Sequence, residues 1–148
     1  MLAASLLAAA LAGQAPPVTP DEAMCSYIEI DGSRMYRELF MIFFDWDSSA
    51  ITPPTAATLD TAAIAYAPLG HCTVLIAAHS DRAGPEAYNL ALSRRRAEAV
   101  IAYLRRRGVT SAYRLEPFGE SRPLVETPDG AREPQNRRAE ILIIPPTR

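Results

Sequence analysis

The sequence is poor in the side chains that hold metal ions, because its 148 residues include only two histidines and two cysteines. His71, His79, Cys25 and Cys72 show none of the ligand spacings of the usual zinc sites. We therefore expect neither a metal nor any other cofactor. Two cysteines allow one intramolecular disulfide. The sequence leaves open whether they are bridged or remain separate thiols, since it does not show how closely they approach.

A strong excess of charge is also absent, because 15 basic and 17 acidic residues give a formal net charge of −2. Nothing in this balance predicts binding to nucleic acid. Two local basic runs, at residues 94–96 and 105–107, are typical of solvated helix faces, with the exception of Arg96. No internal repeat is visible. The length suits one domain with some extra chain at an end.

No hydrophobic run is long enough to cross a membrane as a helix. The apolar stretch at residues 1–12 is short of the roughly 20 residues that a bilayer requires, but its length suits a secretory signal peptide. A start codon upstream of Met1 would account for the absence of Lys or Arg before the run. No cysteine follows the run as a lipid-attachment signal. An uncleaved apolar tail is the alternative.

The pattern divides the chain into three parts. We predict a signal peptide over residues 1–15 and a domain over residues 39–146. Between them, residues 16–38 form a Pro-rich linker and an N-terminal segment.

Strand and helix patterns alternate within the predicted domain. Thr52 before Pro53 is a helix-start signal, and Gly108 is a typical residue after a helix end. The predicted strands are residues 27–30, 40–46, 72–78, 113–118 and 139–144, and the predicted helices are residues 53–67 and 85–107. On the second helix, the expected core stripe is Leu90, Ala97, Ile101 and Leu104. The domain order β-α-β-α-β-β predicts an α/β (α+β) fold with one mixed four-stranded sheet and both long helices on one face.

The end of the second domain strand and the start of the second helix carry polar side chains of opposite charge. The strand runs into Asp81, and the helix that follows carries Asn89, Ser93 and Arg96. Spacings of i, i+4 and i+7 place these three residues on one helix face. A carboxylate opposite an amide, a hydroxyl and a guanidinium predicts a pocket for a ligand that carries both an ammonium and a carboxylate group.

Simpler interpretations of the same residues stay open. Asp81 and Arg96 would also suit an internal ion pair. Asn89 would also suit an exposed helix surface, and Ser93 a hydroxyl bonded to its own helix. Trp46 suits the core and the rim of a pocket equally.

A catalytic Ser-His-Asp relay at residues 79–81 is excluded. Adjacent side chains of a strand point to opposite faces, so these three cannot converge. His79 is instead expected to be a hydrogen-bonded structural side chain.

Several motifs, in this order and spacing, resemble the OmpA-like (OmpA C-terminal) domain, a family of peptidoglycan-binding modules. They span residues 40–144. The chain departs from the family pattern at Trp46, where Phe is common, and at Ala78, where Gly is common. The matching motifs are Phe44-x-Trp46-Asp47, His79-Ser80-Asp81, Tyr88-Asn89-x-x-Leu92-Ser93-x-x-Arg96-Ala97, Gly119-Glu120-x-x-Pro123 and Asn136-Arg137-Arg138-x-Glu140-Ile141.

The resemblance implies non-covalent binding of peptidoglycan, without catalysis, through the diaminopimelate of the stem peptide. It also implies a place in the periplasm or at the outer membrane of a Gram-negative envelope. Asp81 would pair with the ligand ammonium and Arg96 with its carboxylate. One of the two adjacent arginines, Arg137 and Arg138, is expected near the pocket, and Arg138 is the one predicted to bind the ligand. The other residues that the resemblance places at the site are Asn89, Ser93, Leu92, Trp46 and Asp47.

Two functions of other classes also stay open. A wall-remodelling hydrolase needs a carboxylate pair or a metal-bound water, and Asp45, Asp47 and Asp81 are its only candidates. A protein-interaction module would use the same face to dock another envelope protein.

Overall fold

The computed structural model describes Thr19, Cys25, residues 27–30 and 33–36, and residues 39–146. The predicted signal peptide at residues 1–15 lies outside the described residues. An antiparallel hairpin of β1 (Tyr27–Ile30) and β2 (Ser33–Tyr36) precedes the domain. The first of these strands is confirmed. The second was not predicted, because its sequence, SRMY, lacks a run of β-branched residues.

One four-stranded sheet and two helices form the domain. The sheet order is β3-β6-β4-β5, in which β4 and β5 are parallel and the other neighbours are antiparallel. The predicted mixed sheet is thereby confirmed. The strands are β3 (Phe40–Phe43), β4 (Thr73–His79), β5 (Ala112–Gly119) and β6 (Arg138–Ile144), and the helices are α1 (Pro53–Tyr66) and α2 (Glu86–Arg106).

The hydrophobic core lies between the sheet and the two helices. Alternate residues of β4 and β6 point into it, as the period of two along a strand requires. Leu59 and Tyr66 of α1 meet them, together with Val100 and Leu104 of α2. The Tyr66 hydroxyl also donates a hydrogen bond to the Ile141 carbonyl at 3.1 Å. In the described part of the chain, no helix combines the length and hydrophobicity that a membrane crossing needs.

The helix start predicted at Thr52 and Pro53 is confirmed, because α1 begins at Pro53 with Thr52 as its N-cap residue. The Thr52 hydroxyl donates to the Thr55 hydroxyl at 3.1 Å and makes no side-chain cap bond to the backbone. One expectation for the second helix is wrong. Leu90 was expected in the core, but 48% of its surface is exposed. Its backbone lies beside Gly119, the last residue of β5. The first turns of α2 therefore extend past the end of that strand.

The end of β5 approaches α2 so closely that a side chain at Gly119 would require the helix backbone to shift slightly. Gly119 has a φ of +56°, and a Cβ there would lie 3.1 Å from the backbone N and Cα of Leu90. The Ser93 hydroxyl completes the contact. It accepts a hydrogen bond from the Gly119 N–H at 2.9 Å and donates one to the Leu90 carbonyl at 2.8 Å.

A disulfide joins Cys25 to Cys72, with Cα atoms 5.5 Å apart, which settles the alternative that the sequence left open. Both cysteines are buried, and Cys72 immediately precedes β4. The bridge therefore ties the N-terminal segment to the start of β4, at the opposite end of that strand from Asp81.

We expect that replacing both cysteines, as Cys25→Ala/Cys72→Ala, lowers the free energy of unfolding by about 3 to 4 kcal/mol. The reason is that the bridge closes a loop across a sequence separation of 47 residues and restricts the unfolded chain. Urea unfolding of the oxidised wild type and the variant measures the loss. An unchanged midpoint would contradict a stabilising bridge.

We expect Gly119→Ala to lower the free energy of unfolding by about 2 kcal/mol, because the methyl group adds a backbone clash to the strain of a positive φ. Gly130→Ala is the matched control. Gly130 also has a positive φ, of +81°, but no atom lies within 4 Å of its added Cβ. Equal losses for the two variants in thermal or urea unfolding would show that the contact with α2 contributes nothing.

Candidate ligand-binding site

A cavity of about 250 Å³ lies between the end of β4 and the first turns of α2. Tyr88 and the loop of residues 83–85 form part of its wall. The sequence predicted a ligand pocket between this strand end and this helix. The structure brings together six of the residues selected there: Trp46, Asp47, Asp81, Asn89, Leu92 and Arg96.

The Asp81 carboxylate is fixed by three donors, and only 3% of the residue is exposed. Its Oδ1 accepts a hydrogen bond from the Ala83 N–H at 3.2 Å. Its Oδ2 accepts one from the Glu133 N–H at 3.3 Å and one from Nη1 of Arg137 at 3.1 Å. A buried carboxylate requires such partners. The negative pole of the cavity is therefore held in place without a ligand.

The Arg96 guanidinium is fully buried and is held by carbonyl oxygens. Nε donates to Ser48 at 2.9 Å, Nη1 to His79 at 2.9 Å and Nη2 to Asp45 at 3.1 Å. These bonds use three of the five N–H donors of a guanidinium and leave two.

Arg96 stays protonated although it is buried. Burial lowers the pKa of Arg96 from its ordinary value to about 10, and the nearby Asp81 carboxylate opposes that change. The side chain is therefore charged at pH 7. The internal ion pair of Asp81 with Arg96, one of the open alternatives, is replaced by the pair of Asp81 with Arg137.

Asn89 shapes the loop between β4 and α2. Its side-chain amide donates to the carbonyls of Asp81 at 3.2 Å and Ala83 at 3.1 Å. Gly84, with a φ of +92°, supplies the backbone conformation that the turn needs. Asn89 is almost completely buried, so the helix-surface interpretation is wrong. It lines the cavity and also positions the carboxylate.

Ser93 and Arg138 are not brought to the cavity. Ser93 is bonded to its own helix and to β5, as the simpler interpretation proposed. Arg138 donates from Nε to the Glu140 carboxylate at 2.9 Å and from Nη2 to the Arg122 carbonyl at 3.2 Å. Arg137 contacts Asp81 instead. Adjacent residues at the start of a strand project to opposite sides, so only one of the two arginines can reach the site.

Aromatic side chains form the rim. Trp46 is 47% exposed and therefore belongs to the rim and not to the core. The Arg132 guanidinium lies 3.6 Å from the centre of its ring. Across the cavity, the Tyr88 hydroxyl donates a hydrogen bond to the Asp47 carboxylate. This bond is the main reason that the pKa of Tyr88 is raised. Tyr88 belongs to one of the matching sequence motifs, although it was not among the predicted site residues.

His79 is buried, but the prediction that its ring is hydrogen-bonded is wrong. Neither ring nitrogen has a hydrogen-bond partner among the described residues. The ring stacks on Phe118 with centroids 5.3 Å apart. Burial is the largest cause that lowers the pKa of His79 from 6.5 to about 4, so the ring is neutral at pH 7. His79 contributes to the site through its backbone carbonyl, which accepts a hydrogen bond from the Arg96 guanidinium.

One group of potential metal ligands occurs in the described part of the chain, and it lies away from the cavity. The ligand atoms of Cys25, His71 and Cys72 are within 4.8 Å of one another. Both sulfur atoms are committed to the disulfide, so the group offers no thiolate to an ion.

Comparison with known proteins places this arrangement in a family. The OmpA family profile matches residues 43–137. The chain is 40% identical over 111 residues to an outer membrane protein of Gluconacetobacter diazotrophicus, a match that covers 70% of this chain and 29% of that protein. It is 40% identical over 103 residues to a peptidoglycan-associated lipoprotein of Rhizobium meliloti, covering 69% of this chain and 58% of that protein. The chain thus spans less than two thirds of the length of both relatives.

A solved structure supports the same assignment. The crystal structure of the peptidoglycan-associated lipoprotein from Burkholderia pseudomallei is 32% identical, with a TM-score of 0.64. The match covers 70% of this chain and 88% of that one. From the matched profile, the relatives and the similar solved structure, the chain belongs to the OmpA family.

Proposed function

We propose that this chain binds peptidoglycan non-covalently through the diaminopimelate of the stem peptide, and that it performs no catalysis. The observation that carries the proposal is a buried carboxylate and a buried guanidinium that line one small cavity. The names of two relatives and of one solved structure, all peptidoglycan-associated lipoproteins, support the class of ligand.

The unused hydrogen-bonding capacity of the two poles suits a zwitterion. Asp81 accepts three bonds, and a carboxylate offers about four acceptor positions, so one position is left for an ammonium group. Arg96 has two N–H groups left for a carboxylate. The cavity lining carries Asp47, Asp81 and Arg96, and Arg137 pairs with Asp81 from outside the lining, so these four charges sum to zero. A ligand with both charges keeps that balance.

This arrangement distinguishes diaminopimelate from lysine. A lysine side chain supplies the ammonium for Asp81 but no carboxylate, so the remaining donors of Arg96 stay unpaired inside the protein. Leaving such a charged donor without a partner costs free energy. The discrimination therefore resides in Arg96, whereas Asp81 alone would accept either ligand.

The proposed role is to anchor or scaffold at the cell wall, in the periplasm or at the outer membrane of a Gram-negative envelope. The relatives are outer membrane proteins and peptidoglycan-associated lipoproteins, which supports this location. The second candidate is docking of another envelope protein on the same face. Trp46 and Tyr88, both about half exposed at the rim, favour it, because aromatic residues dominate many protein interfaces.

We expect Asp81→Asn and Arg96→Lys each to weaken binding to purified sacculi at least about tenfold, because each change alters one pole. Co-sedimentation measures the affinity, and circular dichroism checks that the variants are folded. Arg94→Gln, an exposed change on the same helix, is the control and should bind as the wild type does. Unchanged affinity of both the Asp81→Asn and the Arg96→Lys variant would contradict the proposal. Release of soluble wall fragments would instead support a hydrolase.

We expect amidation of the free diaminopimelate carboxylate in a soluble muropeptide to weaken binding about tenfold, or about 1.4 kcal/mol. The reason is that Arg96 then faces a neutral amide in place of a carboxylate. Isothermal titration calorimetry with the amidated and unmodified muropeptides makes the comparison. Equal affinities would contradict the assigned role of Arg96, even if the protein still binds the wall.

A further inference from the structure

Two exposed arginines lie over the two aromatic rings at the rim of the cavity. The Arg132 guanidinium carbon is 3.6 Å from the centre of the Trp46 ring, and that of Arg95 is 5.6 Å from the centre of the Tyr88 ring. Trp46 and Tyr88 both line the cavity. The mouth of the cavity therefore carries two guanidinium groups in addition to the buried one of Arg96.

Neither rim guanidinium has a carboxylate partner within the part of the chain that the structure describes. The contact that each makes is with the face of a ring. A guanidinium has five N–H donors in one plane, so donors at its edge remain available when a ring lies beneath it. Arg95 and Arg132 can therefore each donate to a carboxylate that comes from outside the protein.

The loop that carries Arg132 is fastened to the negative pole of the cavity. The Glu133 N–H donates a hydrogen bond to Oδ2 of Asp81 at 3.3 Å. The Gly130 N–H donates to the carbonyl of Arg82, the residue after Asp81, at 2.9 Å. Bonds on both sides of Arg132 thus fix its backbone relative to the place where the ligand ammonium is proposed to bind.

A stem peptide carries carboxylates that the two poles of the cavity do not use. Its isoglutamate keeps a free carboxylate on one side of the diaminopimelate, and the peptide ends in another carboxylate on the other side. The poles take only the zwitterionic end of the diaminopimelate. Asp47, which also lines the cavity, is negative and repels further carboxylates. The two rim guanidinium groups are the cations that such carboxylates meet at the mouth.

We propose that Arg95 and Arg132 bind the carboxylates of the stem peptide that lie outside the diaminopimelate zwitterion. The inference rests on the proposed function, because it extends the same site beyond its two poles. A guanidinium fork matches a carboxylate with two parallel hydrogen bonds, and a side chain already held on a ring loses less freedom on binding. The poles thus select diaminopimelate, and the rim adds affinity for the peptide around it.

The first test compares two ligands by isothermal titration calorimetry. One is the N-acetylated tetrapeptide stem, Ala-isoglutamate-diaminopimelate-Ala. The other is diaminopimelate whose main-chain amine and carboxylate are blocked by acetyl and methylamide groups, so that only the zwitterion remains. We expect the wild type to bind the stem about tenfold more tightly, with a gain that shrinks as salt is added.

The outcomes of this comparison separate the two proposals. Equal affinities for the two ligands would overturn the role of the rim arginines and leave the proposed function standing. Failure of both ligands to bind would overturn the proposed function, and this inference with it.

Variants connect the gain to the two arginines. Arg132→Gln and Arg95→Gln should each weaken binding of the stem about threefold more than binding of the blocked diaminopimelate. Arg105→Gln is the control for Arg132, because Arg105 is exposed and lies over a ring, that of Tyr113, outside the cavity. Arg94→Gln, at the neighbouring exposed position of α2, is the control for Arg95. Both controls should change the two affinities equally, and the same result in the rim variants would contradict the proposal.

Two amidated stem peptides identify the carboxylate that each arginine meets. One is amidated at the isoglutamate and the other at the C-terminal residue. Replacing an arginine should have no further effect on the affinity for the peptide that lacks its partner carboxylate, because the interaction is already lost. If each replacement still weakens binding of both amidated peptides as much as binding of the unmodified stem, neither carboxylate is recognised at the rim and the proposal is wrong.

Discussion

The buried guanidinium of Arg96 is the interaction on which the site depends. It donates to the carbonyls of Asp45 and Ser48, which follow β3, and of His79, which ends β4. One side chain of α2 thus joins the ends of two strands. A charge can be buried in this way only because the carbonyl oxygens replace the hydrogen bonds of water. The group that holds these elements together is also the positive wall of the cavity.

The negative wall is built on the same principle from other parts of the chain. Asp81 takes hydrogen bonds from its own loop and from residues just before β6, where Glu133 and Arg137 lie. Both poles are therefore fixed before any ligand arrives. A fixed site loses less conformational freedom on binding than a mobile one. Selectivity then depends on whether the ligand has both charges, and little on rearrangement of the protein.

Much of the fold and of the candidate site could be predicted because both follow from short-range periodicity. The alternation of apolar strands with helical spacing gave the element order and the mixed sheet. The strand end at Asp81 and the helix spacing of Asn89 and Arg96 placed three cavity residues together, and the family resemblance added Leu92. Ser93 has the same helical spacing but does not line the cavity, because its hydroxyl accepts a hydrogen bond from the Gly119 N–H.

Local properties are what the sequence by itself determined: the elements, their order and the two charged residues that face each other. Only the tertiary structure decided which of Arg137 and Arg138 reaches Asp81, because that choice depends on the side of the sheet to which each residue points in the β3–β6 register. It also decided the pairing of Cys25 with Cys72 and the exposure of Leu90. In each case the physical reason is a distance between segments remote in the chain, which no local spacing encodes.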